Sequence, residues 1–191
     1  MRLLYALVLV LCVIPAFAGS VDSGIVPYER CALCHGLFGN TSRNKFPKLA
    51  GQNPMYLAQQ IQHFLAGWRT NDNGQMATVV TEIDLSQIPE IVEWFASQAP
   101  PDPYDTYSTA GESLYNSAGC TDCHKELAGP DVIMPLLAAQ HPVYLLKQML
   151  ELRDGERSSG DSDSVMHIQL QSLSDSDIES IANYLASLER R

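Results

Sequence analysis

The chain has 191 residues, 22 acidic against 12 basic side chains, and a formal net charge of −10 at pH 7. This acidic surplus excludes general nucleic-acid binding and adhesion to an anionic membrane surface, because both depend on clustered Lys and Arg. The length suits two small domains, which bury little surface unaided and usually need a covalent or metal staple.

The first eighteen residues have the pattern of a secretory signal peptide. Arg2 is followed by an apolar run over residues 3–14 and by a small-residue cleavage site at Ala16-Phe17-Ala18. Cys12 would be removed with this segment. An uncleaved membrane anchor is the alternative, although the run is short for a span of about 20 residues. Later segments are not long and apolar enough to cross a membrane, so the sequence predicts an exported, periplasmic protein.

Two Cys-x-x-Cys-His motifs carry the strongest chemical signal. This pattern is the attachment sequence of c-type haem, because the two thiols of one helical turn can reach the vinyl edges of a porphyrin. The following His then lies beneath the iron as its axial ligand. The sequence therefore predicts two covalently attached haem c groups. The residues concerned are Cys31, Cys34 and His35 in the first motif and Cys120, Cys123 and His124 in the second.

Three other uses of paired cysteines fit less well. A four-thiolate zinc site would join two pairs that lie in separate repeats. A thioredoxin-like motif would need a βαβ pattern and no His after the second Cys. A disulfide within each pair would leave both His residues unexplained.

An internal repeat predicts two tandem all-α domains. Residues 46–57 match residues 134–145 at an offset of 88, and an amphipathic helix follows each segment. The last helix of each half is expected to start from Ser86 and from Ser174, the latter with Asp177 as its capping-box partner. The Pro-rich residues 99–103 predict a linker. The predicted boundaries are a signal at 1–18, domains at 19–98 and 109–191, and a linker at 99–108.

The repeat also selects the second axial ligand of each iron. Only Met76 and Met166 have a Met counterpart in the other half, and they follow the motif His by 41 and 42 residues. A thioether opposite imidazole raises the reduction potential of haem iron. The other methionines are interpreted as core residues, and His63, His141 and His167 as surface or loop residues. His167 stays the competitor of its neighbour Met166 as ligand at the second haem.

Two further pairs have open roles. The carbonyl of Pro47 or Pro135 is expected to accept a hydrogen bond from the axial His, with a simple turn-ending Pro as the alternative. Arg69 and Arg157 close the two amphipathic helices. They either pair with haem propionates or lie at solvated helix ends.

The whole chain after the signal resembles the cytochrome c4 family of di-haem electron carriers. The resemblance rests on residues 46–52 (Phe-Pro-Lys-Leu-Ala-Gly-Gln), on Tyr56-Leu57-x-x-Gln60, on residues 69–72 (Arg-Thr-Asn-Asp) before Met76, and on residues 173–178. It implies two class I cytochrome c folds related by a pseudo-twofold axis, haems that face each other across the domain interface, and His/Met ligation. The second half departs from the pattern at Ala139, which replaces Gly51, and at residues 158–161.

The function expected from these features is electron transfer without catalysis. The resemblance implies a membrane-bound terminal oxidase or similar respiratory complex as partner. The cytochrome subunit of a flavocytochrome c sulfide dehydrogenase is the first alternative, which would still only carry electrons. A di-haem peroxidase or gas sensor is the second, but each needs an open axial position, and matching Met ligands in both repeats argue against one.

Overall fold

The computed structural model describes residues 26–124, 133–157 and 161–190, and the regular structure of these residues is helical. The predicted signal peptide lies outside the described residues. Among the described helices, none is long and apolar enough to span a bilayer. The α-helices are α1 (Glu29–His35), α2 (Pro54–Leu65), α3 (Gln75–Val80), α4 (Ile88–Ala96), α5 (Thr109–Ser117), α6 (Pro142–Arg153), α7 (Asp161–Leu170) and α8 (Asp175–Ala186).

Side-chain caps and prolines set where these helices begin. Pro54 opens α2 at a position where its missing N–H costs nothing, and the Asn53 side chain accepts hydrogen bonds from the next two backbone N–H groups. Ser174 and Asp177 form the predicted capping box at the start of α8. The expected start at Ser86 is wrong. The Asp84 side chain caps a short 3₁₀ turn there, and α4 begins only at Ile88.

Each half packs its own apolar core. In the first half α2 packs against α4, and the core consists of Leu57, Ile88, Ile91, Val92 and Phe95. In the second half α8 packs against both α5 and α6. Its core is larger and includes Tyr115, Leu145, Met149, Leu152, Leu170, Ile178, Ile181 and Leu185. Trp68, expected on the inner face of α2, is instead 63% exposed because the helix ends at Leu65.

Two glutamines join the halves in equivalent ways. The Gln52 side chain donates to the carbonyl of Leu136 at 2.9 Å and accepts from the same residue's N–H at 2.7 Å. The Gln140 side chain makes the same pair of bonds with Lys48, at 2.9 and 2.8 Å. Gln52 and Gln140 are 88 residues apart, as are Lys48 and Leu136. The two halves are therefore related across the interface by a pseudo-twofold axis, as the family resemblance implies.

The linker lies along the last helix. The backbone N–H of Tyr104 donates to Ala186 at 2.9 Å, and the Thr106 hydroxyl donates to Asn183, also at 2.9 Å. These bonds attach the segment between the halves to the C-terminal end of α8.

Candidate functional site

The first Cys-x-x-Cys-His motif lies on the single short helix α1. His35 is 5% exposed, and its Nδ1 donates a hydrogen bond to the carbonyl of Pro47 at 2.8 Å. Since a carbonyl only accepts, this bond fixes the proton on Nδ1 and leaves the Nε2 lone pair available. Burial lowers the pKa of His35, the Pro47 carbonyl opposing it, so the ring is held neutral. A neutral, oriented imidazole is the form that ligates a metal ion.

Among the described residues, the four motif cysteines form no disulfide. Cys31 and Cys34 are one helical turn apart and half-buried, so both can address one face of a planar ligand. Burial raises the pKa of the Cys31 thiol to about 11 and also raises that of Cys120. Before haem attachment both thiols would be protonated at neutral pH, unlike the low-pKa thiolates of redox-active pairs.

The second motif has a looser version of the same geometry. Cys120 begins a 3₁₀ turn, and the backbone N–H of His124 donates to its carbonyl at 3.0 Å. Burial lowers the pKa of His124 and the nearby carbonyl of Pro135 opposes it. Nevertheless Nδ1 of His124 is buried without a hydrogen-bond partner among the described residues. Pro47 and Pro135 thus occupy equivalent places, but only Pro47 completes a well-formed bond.

Met76 and Met166 are both half-buried on short helices. The Asp72 carboxylate accepts hydrogen bonds from the backbone N–H groups of Gly74, at 3.1 Å, and of Met76, and so fixes the start of α3. Met166 lies on α7 and packs against the core of the second half, as does Cys120. The sequence pattern did not predict this role of Asp72, although a position four residues before Met76 suits a helix cap.

The histidines outside the motifs are more constrained than expected. His167 uses both ring nitrogens, since Nδ1 lies 3.1 Å from the Leu152 carbonyl and Nε2 lies 2.8 Å from the Gln171 amide nitrogen. No lone pair is left on that ring to compete for a metal. The expectation that His63 is a surface or loop residue is wrong, because it is buried on α2. His141 lies outside the helices, directly before α6, but it is buried rather than exposed. A repeat comparison shows which residues are equivalent but not which faces of the two halves meet.

Of the methionines assigned to the core, one is buried and another is exposed. Met149 is buried in the core of the second half, as expected. Met55 is 40% exposed, so its assignment to the core is wrong. It follows Pro54 in the first turn of α2, on the side of the helix that faces solvent.

Arg69 and Arg157 meet in a buried polar network between the halves. Arg69 donates to Gln60 at 2.7 Å within its own half and to Gln148 at 2.7 Å across the interface. Arg157 donates to Gln148 at 2.8 Å and to Gln60 at 3.4 Å. The solvated helix end is therefore excluded for both arginines, which are only 5% and 7% exposed.

Two tyrosines complete this network. Arg69 donates to the Tyr144 hydroxyl and Arg157 to the Tyr56 hydroxyl, each across the interface at 3.2 Å. Burial acts to raise the pKa of Tyr56, but the guanidinium groups of Arg157 and Arg69 outweigh it and lower that pKa. The interface thus concentrates positive charge where solvent is excluded.

The donor set fits two haem c groups. Each motif offers two thiols and a neutral imidazole, with a thioether on a later helix of the same half. Within the described part of the chain, the two buried guanidiniums have one carboxylate in ion-pair range, Asp163, 3.8 Å from Nε of Arg157. That Nε is buried without a hydrogen-bond partner among the same residues. Buried cations with few counter-ions suit an anionic group such as a carboxylate of the porphyrin.

Comparison with known proteins agrees with this chemistry. A family model described as Cytochrome c matches residues 108–189. A cytochrome c4 of Pseudomonas aeruginosa is 31% identical over 185 residues, covering 90% of both chains. The crystal structure of reduced recombinant cytochrome c4 from Pseudomonas stutzeri has a TM-score of 0.69 at 30% identity, covering 83% of this chain and 93% of that one. A thiosulfate dehydrogenase electron acceptor of Thiomonas intermedia is 28% identical over 176 residues, covering 82% of this chain and 77% of its own.

An all-helical chain with two haem-attachment motifs and these relatives is a c-type cytochrome with two covalently attached haem c groups. The chain belongs to the cytochrome c4 family. It is a di-haem electron carrier that exchanges electrons with redox partners, and not an enzyme. The predictions of the fold class, the family and the cofactors are confirmed.

Proposed function

We propose that each half of the chain holds one haem c through its own motif and its own methionine. Cys31 and Cys34 form the thioether links of the first haem, with His35 and Met76 as axial ligands. The second haem has the equivalent set, Cys120, Cys123, His124 and Met166. The hydrogen bond from His35 to the Pro47 carbonyl carries this proposal, because it orients a neutral imidazole for iron.

The surrounding residues have separate tasks. Haem iron supplies the redox step, one electron between the ferric and ferrous states. Pro47 holds the ring of His35, and Asp72 holds the first turn of α3 and thereby Met76. Arg69 and Arg157 are placed to neutralise propionates of the haems at the interface. Two haems held in this way, one in each half, would permit electron relay between a donor and an acceptor within one chain.

The cellular setting follows from the same proposal. Residues 1–18 direct export to the periplasm, where the domains at 19–98 and 109–191 act on either side of the linker at 99–108. A membrane-bound terminal oxidase or similar respiratory complex accepts the electrons. The acidic charge of the chain supports a basic or dipolar surface on such a partner.

The name of one relative suggests an electron donor for this chain. The protein from Thiomonas intermedia is named as the electron acceptor of thiosulfate dehydrogenase. An enzyme that oxidises a reduced sulfur compound is therefore an alternative source of electrons for this chain. In the alternative in which this chain is the cytochrome subunit of a flavocytochrome c sulfide dehydrogenase, the electrons would likewise come from a reduced sulfur compound.

Visible spectra of the matured protein and three variants test the ligand set. The oxidised wild type is expected to show two low-spin haems with a methionine–iron charge-transfer band, and the reduced form no response to carbon monoxide. Met76→Ala and Met166→Ala should each remove about half of that band and open one iron to carbon monoxide. His167→Ala is the matched control and should leave the band intact. A carbon monoxide response of the wild type, or loss of the band in the control, contradicts the proposal.

A further inference from the structure

The chain around the first motif has a charge opposite to that of the rest of the protein. Residues 30–71 contain five Lys or Arg and no Asp or Glu. The equivalent residues 119–160 contain four Lys or Arg and six Asp or Glu. In a chain of net charge −10, residues 30–71 form a local exception.

Three large apolar side chains within or directly after the first motif are exposed to solvent. Leu33 is 78% exposed, Leu37 46% and Phe38 57%. The indole Nε1 of Trp94 donates to the Leu37 carbonyl at 2.8 Å, and the Phe38 ring stacks on Trp94 at 6.1 Å between centroids. These contacts fix the segment on α4. Exposed apolar side chains on a fixed backbone are typical of protein contact surfaces.

Two exposed cations flank this apolar area. Arg43 and Lys45 lie on the loop that follows the motif, and the Arg43 carbonyl accepts from the N–H of Phe46 at 3.0 Å. Lys45 Nζ lies 5.4 Å from the centre of the Phe46 ring, which meets the His35 ring edge-on. The Lys45 ammonium therefore lies beside Phe46, which contacts the proposed haem ligand His35.

The remaining cations of the stretch are engaged elsewhere. Arg30 forms an ion pair with Glu82. Lys48 and Arg69 are buried in the contact between the halves. Arg43 and Lys45 are thus the cations that this surface offers to a partner.

The second motif presents a different surface at the equivalent place. Position 122 is 89 residues after Leu33 and carries Asp122, which is exposed, as is the neighbouring Cys123. An apolar side chain at this position of the first motif and a carboxylate at the same position of the second favour different partners.

We infer that Leu33, Leu37, Phe38, Arg43 and Lys45, the first-motif face, dock a redox protein that presents acidic side chains around an apolar contact. This inference rests on the proposed function. An acidic protein is repelled by most of this chain and attracted at the first-motif face, so that charge alone orients the encounter. The docked partner then exchanges electrons with the first haem rather than the second.

Chemical-shift mapping on the ferrous holoprotein tests the inference. The ¹⁵N-labelled protein is titrated at low salt with a plant-type [2Fe–2S] ferredoxin, an acidic probe whose low reduction potential keeps it oxidised. Shifts are expected at residues 33–45 and are expected to disappear at high salt. Shifts centred on residues 119–124, or none at low salt, overturn the inference.

Variants of the cations and of Leu33 test the first-motif face further. Arg43→Glu with Lys45→Glu should weaken probe binding by about tenfold or more, since attraction becomes repulsion. Leu33→Asp installs the residue of the second motif and should also weaken binding, whereas the reciprocal Asp122→Leu is the control and should not. Weakening by the control, equal to that by Leu33→Asp, contradicts the assignment.

Two further readings separate this inference from other outcomes. Sedimentation of the holoprotein alone measures self-association, and a dimer broken by the Leu33→Asp variant would assign the face to a second copy instead. The visible spectrum of the same samples tests the proposed function independently. A closed, low-spin spectrum with shifts away from residues 33–45 contradicts the docking face alone, and an open iron contradicts the function.

Discussion

The two halves start their equivalent helices with the same proline but different preceding residues. Asn53 caps α2 through its side chain, which accepts from Met55 at 2.9 Å and from Tyr56 at 3.2 Å. His141 precedes α6 without capping it. Its Nδ1 instead meets the Tyr104 hydroxyl of the linker. The two repeats thus have the same backbone at this helix start, but in the second half the side chain contacts the linker instead of capping the helix.

A similar difference between the halves occurs two residues earlier in each repeat. Gly51 and Ala139 both have positive φ angles, 62° and 54°, although only glycine adopts that region without cost. Their N–H groups donate to equivalent carbonyls, of Phe95 at 3.0 Å and of Leu185 at 3.2 Å. The shared hydrogen bond therefore fixes the backbone conformation in both halves. Ala139 has the same positive φ angle, which is strained for a residue with a Cβ atom.

The largest expected effect is a loss of stability of the second half, where α5 and α8 cross at close distance. A Cβ added to Gly111 on α5 would lie 1.9 Å from the Ser180 carbonyl oxygen of α8. Because backbone cannot yield to that overlap, Gly111→Ala should cost about 3 kcal/mol or more in the free energy of unfolding. Thermal unfolding of the holoprotein, followed by circular dichroism, measures the loss.

The exposed neighbour Ala110 on the same helix provides the control. Ala110→Ser should leave the transition temperature almost unchanged. If Gly111→Ala unfolds at the wild-type temperature, the close crossing of α5 and α8 does not hold the second half together.

The arginine network tests whether the two halves contribute equally at their interface. Arg157 faces the buried carboxylate of Asp163, whereas the bonds of Arg69 go to neutral groups such as Gln60 and Gln148. Arg157→Gln separates an opposite charge pair in a buried place and should cost on the order of 3 kcal/mol. Both changes would remove a propionate contact of the same kind, but the protein partners of Arg69 are neutral, so Arg69→Gln should cost about 1–2 kcal/mol less than Arg157→Gln.

Urea titration of the holoprotein compares these two variants. The double variant Arg157→Gln with Asp163→Asn should recover part of the loss, because the separated carboxylate is then neutral. Arg43→Gln, on an exposed loop of the first half, should change little. Equal losses for Arg69→Gln and Arg157→Gln would mean that the asymmetry at Asp163 has no energetic weight.

How far the sequence predicts this molecule depends on whether a feature is local. The haem motifs, the helices after Pro54 and Pro142, and the Ser174 capping box are encoded within a few residues and were predicted. The burial of His63, His141 and the two arginines depends on which faces of the halves meet. The repeat aligns the halves with each other but contains no information on their contact, so those features needed the fold.

The smallest predicted effect concerns the residue that differs between the two helix starts. Burial and the nearby Lys48 ammonium lower the pKa of His141 to about 4, while the Thr41 carbonyl opposes them. Lys48 also lies 4.4 Å from the centre of the Tyr104 ring, which contacts His141. A protonated His141 would place a second cation beside Lys48, so the native state binds this proton less readily than the unfolded chain.

The sign of the pH dependence follows from that difference. An unfolded His takes up its proton near pH 6.5, so stability is lost as the pH falls from about 6.5 towards 4. After allowance for solvent screening, His141 should account for about 2 kcal/mol of this loss. His141→Asn copies Asn53 and should remove that share and add about 1 kcal/mol near neutral pH through a new cap. Urea titrations of both proteins at pH 7.5 and 4.5 measure the difference, and parallel losses would show that His141 stays neutral in the unfolded chain or charged in the native one.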